Sequence, residues 1–342
     1  MPLTWLPLFA SPPAGGVPAG RGAEARDAAR LTVMVAQRRG FRACNARPHR
    51  RARLILLGGN RREGNTRSQA ARTVKLILSD IDGTIMPQGA RTVSERTRAA
   101  FHTARGAGIA IGPASGRGVG QIPAFFGGDA TCCATCIATN GLEGYLEGER
   151  IFEKLLPHRG LERLVEVLGE IPGAGLVVFE GTRPLLCAGS LDDLFEIVPA
   201  YGRACEPVGC LPEFEVLKAN VFLPTDLDGT RAFSERLNAA VDGLDFDVPM
   251  AGFLNIMPAG WNKGEGVREL ARHLDIGLDE VVVFGDAGND LTMFAVAGNP
   301  VAVAGAMPEA AAAARWHIGR CEDDAVAEAI EVLAAGGWPF TA

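Results

Sequence analysis

Two aspartates separated by one residue, Asp80 and Asp82, follow a short apolar run in the segment SDIDGTI. Two carboxylates this close raise one another's pKa unless a cation lies between them, and Mg²⁺ prefers oxygen ligands of this kind. Gly83 allows a sharp turn and close approach of the backbone to a ligand, and Thr84 offers a hydroxyl and an N–H to a phosphate-sized anion. The pentapeptide alone is equally compatible with a solvated turn after a strand.

Two later segments place functional groups where strands of a parallel sheet would end. The segment ASGR offers the hydroxyl of Ser115, and Gly116 beside it permits close approach of a ligand. The segment NKG offers Lys263 at the start of a predicted helix, where an ammonium can balance the charge of transferring phosphoryl oxygens. Lysine is scarce, with four residues against 30 arginines, which favours a functional role for Lys263 over an ordinary surface position.

A third segment, GDAGND, follows the apolar run VVVF and adds three polar side chains, Asp286, Asn289 and Asp290. We expect Asp286 to be a further Mg²⁺ ligand, because groups that follow parallel strands converge at one edge of the sheet. Helix N-capping is the alternative explanation, and it fits Asn289 or Asp290 better than Asp286.

These segments need a scaffold, and the pattern from residue 73 onward predicts one. Short β-rich apolar runs alternate with helical stretches such as VSERTRAAFHTARGAG, for which Ser94 is the predicted N-cap and Gly106 or Gly108 the end. This alternation predicts a mostly parallel sheet covered on both faces. Its functional groups should lie at the carboxyl ends of the strands.

Residues 145–250 break this pattern and predict an inserted α+β module. The stretch GYLEGERIF is typical of a hairpin. The pattern then predicts helices at 161–169, 191–200 and 228–241, and strands at 175–179, 184–187 and 215–223. The alternating pattern resumes after residue 250, so that 73–144 and 251–342 form one predicted α/β core.

A near copy of the first segment, TDLDGTR, lies inside this module. Pro224 precedes it and cannot supply the N–H of a central strand, and an amphipathic stretch, RAFSERLNAAV, follows it. Asp226 or Asp228 is therefore the predicted N-cap of a helix. No other motif is duplicated, so we interpret the likeness to SDIDGTI as coincidental.

The first 72 residues differ in composition from the rest. They contain 14 Arg against Glu24, Asp27 and Glu63, a net charge of +11, so the remainder carries −17. Their richness in Arg, Ala, Gly and Pro predicts a poorly ordered extension. A secretory signal fits poorly because no positive charge precedes LTWLPLF, and a transit peptide fits poorly because serine is rare. A dispensable extension is the favoured interpretation, and a nucleic-acid-binding arm is the alternative.

The eight cysteines show no disulfide-framework spacing, which predicts reduced thiols and a cytoplasmic location. Cys133 and Cys136 have the spacing of half a zinc site, but no second pair follows at finger spacing. We expect both thiols to pack in the interior. No apolar run approaches the ~20 residues of a membrane helix, so no membrane partner is predicted.

Taken in order, DIDGT, ASGR, NKG and GDAGND resemble the four motifs of the haloacid dehalogenase-like (HAD) phosphohydrolases, and the inserted module resembles the α/β (type IIB) cap of their Cof-type branch. The resemblance runs from about Thr73 to the C terminus and includes IATNG and VAVAGAMPEA. It implies a Rossmann-like parallel-sheet core interrupted by a cap that selects the substrate. Two positions depart from the family pattern: Ala287 stands where Gly is more common, and Gly305 where Asn is usual.

The resemblance also implies roles for individual residues. Asp80 would be the nucleophile that forms an aspartyl-phosphate, Asp82 the acid and base, and Lys263 a contact to the phosphoryl group. Metal ligands would come from Asp80, the main chain of Asp82, Asp286 and Asp290. Contacts to phosphate or substrate would come from Gly83, Thr84, Ser115, Gly116, Arg117, Asn140 and Asn289.

These roles predict a Mg²⁺-dependent phosphatase of a small phosphorylated metabolite, with a sugar phosphate as the expected substrate. A phosphomutase with the same aspartyl-phosphate chemistry is the alternative. Nucleic-acid binding is disfavoured because the body of the chain is acidic. Four residues of the module, each equally compatible with an ordinary structural role, are candidates for substrate contacts: Phe179, Arg183, Lys218 and Asn220.

Overall fold

The computed structural model describes residues 73–341. The predicted extension 1–72, with its two interpretations, lies outside the described residues. The strands are β1 (Leu76–Ser79), β2 (Ala110–Pro113), β3 (Cys136–Ala138), β4 (Glu143–Leu146), β5 (Glu149–Glu153), β6 (Gly175–Glu180), β7 (Arg183–Ala188), β8 (Glu206–Pro207), β9 (Lys218–Phe222), β10 (Leu244–Met250), β11 (Phe253–Pro258), β12 (Val281–Gly285), β13 (Asn299–Ala304) and β14 (Trp316–Arg320). The α-helices are α1 (Glu95–Gly106), α2 (Ile122–Phe125), α3 (His158–Leu168), α4 (Leu191–Ile197), α5 (Pro199–Ala204), α6 (Leu227–Ala240), α7 (Lys263–His273), α8 (Leu291–Val296), α9 (Pro308–Ala313) and α10 (Ala325–Ala334).

Five strands form a parallel sheet in the order β14-β13-β12-β1-β2. Successive residues of β1 face opposite sides: Ile77 packs in a cluster with Phe101 of α1, whereas Leu76 and Leu78 pack with Val267 of α7. Because both faces are covered, every residue of β1 is buried, as expected for an apolar strand in a parallel sheet. The predicted Rossmann-like core is confirmed.

The helix that follows β1 begins and ends as predicted. The hydroxyl of Ser94 accepts a hydrogen bond from the N–H of Thr97 at 2.9 Å and so satisfies a donor that the first turn leaves free. The helix α1 ends at Gly106, one of the two predicted positions. This cap fixes the residue at which α1 begins and therefore the point at which the loop after Asp80 ends.

A second sheet has six strands in the order β10-β11-β9-β6-β7-β8. Its pairs are antiparallel except for β7 with β8. On one face Val221 packs with Leu164 of α3 and Leu237 of α6; on the other, Phe222 packs with Leu194 of α4. The fold class, a parallel-sheet core with an inserted α+β cap, is confirmed. The limits 145–250 of the cap stay a prediction, and β11, which pairs within this sheet, lies beyond residue 250.

A small antiparallel sheet, β3-β4-β5, lies beside the core. Its second and third strands form the hairpin predicted from GYLEGERIF, with Glu147 and Gly148 at the turn, both at positive φ. Residue Ile137 of β3 forms a parallel bridge with Ala114. The loop after β3 is thereby held next to the loop after β2.

Two connecting segments lead into and out of the six-stranded sheet, and they touch one another. The N–H of Lys154 donates to the carbonyl of Leu142 at 2.7 Å, and the indole N–H of Trp261 donates to the carbonyl of Gly141 at 2.8 Å. The ammonium of Lys154 lies 5.1 Å from the centroid of the Trp261 ring. The chain therefore enters and leaves the second sheet at adjacent positions.

The second Asp-x-Asp-Gly-Thr segment begins a helix, as predicted. Asp226 is the N-cap of α6, and its carboxylate accepts a hydrogen bond from the N–H of Gly229 at 2.8 Å. Asp228 in the first turn pairs with Arg231 at the surface. The segment therefore serves a local structural purpose in the cap.

The two cysteines with the spacing of half a zinc site behave as packing residues. Cys133 and Cys136 are buried in the apolar cluster beneath the sheet, as expected, and the seven cysteines within residues 73–341 are all free thiols. No helix in this part of the chain is both long and apolar enough to traverse a bilayer. The cytoplasmic location stays a prediction.

Candidate active site

The candidate active site lies where β1 and β12 end side by side. These two strands are parallel and adjacent, with Ser79 opposite Phe284, so the residues that follow them meet at one edge of the sheet. The N–H of Asp80 continues the ladder by donating to the carbonyl of Phe284 at 2.9 Å. Two segments about 200 residues apart in sequence thus bring Asp80 and Asp286 together.

Lys263 joins the carboxylates from two of these segments. Its ammonium donates to Asp80 Oδ1 at 2.8 Å and to Asp290 Oδ1 at 2.7 Å. All three side chains are almost completely buried. Asn262 caps α7 through the N–H of Glu265, and this cap sets the first helical residue, Lys263, at the sheet edge. A buried charge is tolerated only when it is paired in this way.

Asp290 also organises the loop after β12. Its Oδ2 accepts hydrogen bonds from the N–H groups of Asp286 at 2.9 Å and Ala287 at 3.1 Å, while its Oδ1 receives the ammonium of Lys263. The side chain is fully buried. The two oxygens of Asp290 therefore hold the loop after β12 and the ammonium of Lys263 in place.

Asp286 is held by the first segment. The hydroxyl of Thr84 donates to Asp286 Oδ1 at 2.7 Å. Gly83 has φ +85°, and a Cβ added there would lie 2.5 Å from Asp286 Oδ2, so a glycine is required both by the backbone conformation and by the close approach. The turn after Asp80 and the carboxylate of Asp286 thus fit together as one unit.

The balance of charge at this edge is negative. Burial raises the pKa of Asp80 to about 7, against the opposing attraction of Lys263, and the neighbouring Asp290 raises it further. Burial likewise raises the pKa of Asp286 to about 6. Burial opposes the charge of Lys263, yet the carboxylates of Asp290 and Asp80 raise its pKa above the usual value. Three carboxylates around one ammonium leave an excess of negative charge that a cation would balance.

The carboxylate of Asp82 has a different partner. Arg117 donates to it through both arms of the guanidinium, Nε to Oδ2 at 3.1 Å and Nη2 to Oδ1 at 2.9 Å. The same guanidinium lies 4.3 Å from the centroid of the Phe125 ring. About a third of each charged side chain remains exposed. The sequence placed Arg117 near the substrate but gave no sign of its pairing with Asp82.

The loops after β2 and β3 interlock. The N–H of Asn140 donates to the carbonyl of Ser115 at 3.0 Å, and the N–H of Thr139 donates to the carbonyl of Arg117 at 2.9 Å. A Cβ on Gly116 would lie 2.8 Å from Asn140 Oδ1, so the small residue allows the contact. Asn140 adopts a left-handed conformation, φ 54°. These contacts therefore hold together four of the predicted site residues: Ser115, Gly116, Arg117 and Asn140.

Asn289 lies in the 3₁₀ turn Gly288–Asp290, next to the buried Asp290. Within residues 73–341, its side chain forms no hydrogen bond. Its predicted role as a substrate contact stays a prediction.

Sequence reasoning missed Glu143. Its carboxylate is buried and accepts hydrogen bonds from Thr139 Oγ1 at 3.0 Å and from the hydroxyl of Tyr145 at 2.8 Å. Thr139 precedes Asn140 in the interlocked loops, so Glu143 supports one wall of the site. A single glutamate in a short strand has no distinguishing pattern; only its partners in space reveal it.

A sequence model described as haloacid dehalogenase-like hydrolase matches residues 77–330, most of the chain. The chain belongs to this family. The predictions of a HAD-type protein and of a hydrolytic enzyme are therefore confirmed.

Among similar members of the family, 5-amino-6-(5-phospho-D-ribitylamino)uracil phosphatase from Escherichia coli (strain K12) is 27% identical over 270 residues, covering 78% of this chain and 99% of that protein. HMP-PP phosphatase from Klebsiella pneumoniae (strain 342) is 28% identical over 243 residues, covering 69% and 86%. Both relatives are phosphatases by name.

Solved structures agree on the fold of this HAD hydrolase. A HAD phosphatase from Bacteroides thetaiotaomicron matches with a TM-score of 0.67 and 20% identity, covering 79% of this chain and 99% of that one. A sugar phosphatase of HAD subclass IIB matches with a TM-score of 0.62 and 21% identity, covering 75% and 98%. At this level of identity the likeness extends to the fold, including the subclass IIB cap.

Proposed function

We propose that this HAD hydrolase is a Mg²⁺-dependent phosphatase of small phosphorylated metabolites that acts through a phosphorylated Asp80. The observation that carries the proposal is the pairing of Asp80 Oδ1 with the buried ammonium of Lys263 at 2.8 Å. This contact leaves Asp80 Oδ2 without a hydrogen bond inside residues 73–341. A carboxylate held by one oxygen and open at the other suits in-line attack on phosphorus.

The carboxylates fit a divalent cation. Asp80, Asp286 and Asp290 each offer an oxygen within 4.8 Å of the others, and all-oxygen donor sets suit Mg²⁺. Burial raises the pKa of Asp80 and of Asp286, and the neighbouring carboxylate of Asp290 raises both further, so a cation bound here would stabilise the charged form of each. When bound, Mg²⁺ would neutralise phosphoryl oxygens and orient the phosphate for attack. The main-chain carbonyl of Asp82 is the further ligand that the family resemblance suggests.

The other residues of the site position the phosphate. The ammonium of Lys263, fixed by Asp290, offers positive charge where phosphoryl oxygens gain charge in the reaction. The main chain after Asp80 and the hydroxyls of Thr84 and Ser115 lie around the same edge. Thr84 already donates to Asp286, so we assign its N–H, with Ser115, to the phosphate.

Asp82 is the proposed acid and base. It must protonate the oxygen of the leaving group and then activate water. Both of its oxygens accept hydrogen bonds from Arg117, so proton transfer requires Arg117 to release at least one of them. An anionic substrate that attracts the guanidinium would supply the reason for this release.

The substrate class follows from the relatives by analogy. They are named for a phosphorylated ribitylaminouracil, for HMP-PP and, among solved structures, for a sugar phosphate. A small phosphorylated metabolite is the shared feature. We therefore propose this class, with sugar phosphates as its first members to test.

Screening the purified protein for phosphate release across a library of phosphorylated metabolites tests the proposal. Release should require Mg²⁺ and stop on chelation. Isomerisation of a sugar phosphate without release of phosphate would instead identify a mutase. Asp80→Asn should abolish turnover, and turnover that survives in this variant would contradict the assignment of the nucleophile.

A further inference from the structure

Basic and aromatic side chains lie together on the face of the six-stranded sheet that packs against α4. Lys218 of β9 is paired directly opposite Phe179 of β6, and its ammonium lies 4.8 Å from the centroid of that ring. The ring of Tyr201 in α5 meets Phe179 edge-on at 5.4 Å. We call these three residues the Lys218 subsite.

Among the four cap residues proposed from sequence, the structure separates two kinds. Lys218 and Asn220 share one face because alternate residues of a strand point the same way. Phe179 lies on that face because it is paired opposite Lys218. Arg183 instead pairs with Glu180 and Glu206, and all three side chains are about half exposed. Arg183 is therefore a surface residue at the start of β7 and takes no part in the subsite.

One end of the cap sheet lies next to the loop that follows β2. A Cβ placed on Gly120 would be 3.8 Å from Cγ2 of Thr182, so the turn between β6 and β7 rests against the loop that follows β2. Arg117 lies three residues before Gly120, and Phe179 three residues before Thr182. Burial and then the charge of Arg117 lower the pKa of Lys218 to about 8. Lys218 and Tyr201 of the cap therefore lie near enough to Arg117 for its charge to act on both.

The charges around Lys218 do not balance. Lys218 forms no ion pair with any residue in 73–341, and the carboxylate of Glu143, which also acts on Lys218, is already occupied by Thr139 and Tyr145. Arg117 has Asp82 as its partner. A half-buried ammonium without an anion is costly unless a ligand supplies one.

We propose that Lys218 binds a second anionic group, a carboxylate or a further phosphate, carried by the leaving group of the substrate, with Phe179 and Tyr201 forming the wall beside it. This inference rests on the proposed phosphatase function and narrows its substrate class. The reacting phosphate would bind at Asp80 and Lys263, and the second anion at the cap.

Matched substrates test the proposal. Glucose 6-phosphate and 6-phosphogluconate differ by one carboxylate, and fructose 6-phosphate and fructose 1,6-bisphosphate differ by one phosphate. For each pair, the ratio of kcat/KM, anionic over neutral leaving group, is measured in the wild type and in Lys218→Met. We expect the wild type to favour the anionic member of at least one pair, and the variant to lower that ratio about 10- to 100-fold.

The chain offers a matched control. Lys75→Met also removes one ammonium, but Lys75 pairs with Glu280 at the surface near the start of β1, and its ratio should equal that of the wild type. Lys218→Arg, which keeps the charge, should retain most of the preference. Far-ultraviolet circular dichroism and the unfolding temperature establish that each variant is folded.

The outcomes separate the two proposals. Equal kcat/KM within both pairs in the wild type, or a ratio that Lys218→Met leaves unchanged, would overturn the role of Lys218 while the phosphatase function stands. No phosphate release from any ester of the library would overturn the proposed function and this inference with it. Which pair responds identifies the anion as carboxylate or phosphate.

A second, independent observation concerns three side chains of types that commonly bind metals. They lie on the side of the sheet where strands begin. His102 lies in α1, and Asp129 and Cys132 lie in the turn before β3. The distances are 2.7 Å from His102 Nε2 to Asp129 Oδ2, 3.8 Å from Cys132 Sγ to His102 Nε2, and 3.6 Å from Cys132 Sγ to Asp129 Oδ2. Imidazole, carboxylate and thiol thus point at one another.

These distances approach those around a tetrahedral zinc ion. Zinc bond lengths to sulfur, nitrogen and oxygen place neighbouring ligand atoms about 3.3–3.6 Å apart. The two distances from sulfur already match within a few tenths of an ångström, and only the hydrogen bond between His102 and Asp129 would have to open. The other oxygen of Asp129 is fixed by the N–H of Thr131 at 3.0 Å. Cys132 is buried and His102 about half exposed, so a fourth position faces solvent.

We infer that His102, Asp129 and Cys132 bind a divalent transition metal of the zinc type, with water as the fourth ligand. Binding releases one proton, from the thiol of Cys132, as the metal–sulfur bond forms. The cysteine pair singled out by sequence spacing, Cys133 and Cys136, takes no part. The ligands are instead brought together from two separate elements.

Titration of the metal-free protein with Co²⁺ tests this site, because a thiolate ligand gives a near-ultraviolet charge-transfer absorption that carboxylates do not. We expect this absorption to rise to saturation as Co²⁺ is added and to disappear on addition of Zn²⁺. Cys132→Ser and His102→Gln should lose it. The matched control Cys133→Ser, which removes the neighbouring thiol, should keep it.

The absence of a thiolate absorption in the wild type would overturn the site, and so would its persistence in Cys132→Ser. Binding of Co²⁺ at the carboxylates of the active site gives no such absorption. The result for this site is therefore independent of the proposed phosphatase function.

Discussion

The segments DIDGT and DLDGT share four of five residues but are used in opposite ways. In the first, Asp80 is buried and bonded to Lys263, 183 residues away. In the second, the carboxylate of Asp226 caps its own helix through Gly229, three residues away. The difference shows that long-range partners, and not the short motif itself, distinguish the two aspartates.

The two threonines extend the comparison. The hydroxyl of Thr84 donates to Asp286 across the sheet edge at 2.7 Å. The hydroxyl of Thr230 donates to the carbonyl of Asp226 in its own turn at 2.7 Å and accepts a hydrogen bond from the N–H of Gly252 at 2.7 Å. Both threonines therefore reach beyond their own segment, but Thr84 contacts a carboxylate of the candidate site, whereas Thr230 contacts main-chain groups of the cap. Identical substitutions in the two segments therefore separate roles at the candidate site from structural roles in the cap.

The largest contrast should come from the first aspartate of each segment. Asp80→Asn removes the proposed nucleophile, so we expect phosphate release to fall on the order of 10³-fold or more. Asp226→Asn should leave it unchanged, because asparagine also caps helices well. Initial rates of phosphate release measure both. Equal losses in the two variants would contradict the assignment of roles.

The positively charged partners of the two segments, Lys263 and Arg231, should give the next largest contrast. Lys263→Met leaves Asp80 and Asp290 buried without a counter-charge, which should cost about 3–5 kcal/mol of unfolding free energy and lower kcat on the order of 10²- to 10³-fold. Arg231→Met removes only a surface pair with Asp228 and should change neither quantity measurably. Urea unfolding and steady-state kinetics give the two readouts. A stable, active Lys263→Met protein would refute the buried-pair argument.

The glycines give a smaller effect. Gly83→Ala forces a Cβ toward Asp286 Oδ2 and a side chain into a left-handed conformation, so we expect kcat to fall on the order of 10- to 100-fold and stability by about 1–2 kcal/mol. In Gly229→Ala the new methyl meets the side chain of Thr225, which can rotate, and stability should change by less than about 1 kcal/mol. Unchanged activity in Gly83→Ala would show that the close contact is not needed.

The smallest effect concerns pH and metal. The folded-state pKa values of Asp80 and Asp286, about 7 and about 6, exceed the ordinary value of 3.8, so the metal-free folded protein binds protons more tightly than the unfolded chain. Their contribution to stability is present at low pH and is lost as pH rises through about 6 and 7.

We therefore expect the unfolding temperature of the metal-free protein to fall between about pH 5 and pH 7 by a few degrees relative to the protein in saturating Mg²⁺. Asp80→Asn should reduce this difference, and Asp226→Asn should not. Differential scanning fluorimetry with and without chelator measures it. A difference that is independent of pH would show that these carboxylates do not titrate as argued.

Much of the fold and of the site follows from local sequence. The alternation of apolar runs and helical stretches predicted the parallel sheet. Ser94, and either Asp226 or Asp228, were predicted as caps because capping depends on neighbours in the chain. The convergence of Asp80, Lys263 and Asp286 followed from the rule that functional groups gather at the carboxyl edge. These signals are periodic or local, so one sequence contains them.

The remainder depends on side chains that meet only in space. Three of these features involve no fixed spacing: the pairing of Arg117 with Asp82, the buried carboxylate of Glu143, and the placement of Lys218 opposite Phe179. Arginine is abundant in this chain, so no single arginine stands out. The limits of the cap are equally hard to predict, because β11 continues the six-stranded sheet beyond the change in sequence pattern.

The contact between Lys154 and Trp261 has a consequence for how such a molecule can diverge. The chain leaves the core and returns to it at neighbouring points. The insertion therefore constrains the core no more than a short loop between those two points would. A different module whose own ends lie equally close can replace it without shifting the strands that present the aspartates. If the cap recognises the leaving group as proposed, substrate preference can change in evolution while the residues at the sheet edge stay the same.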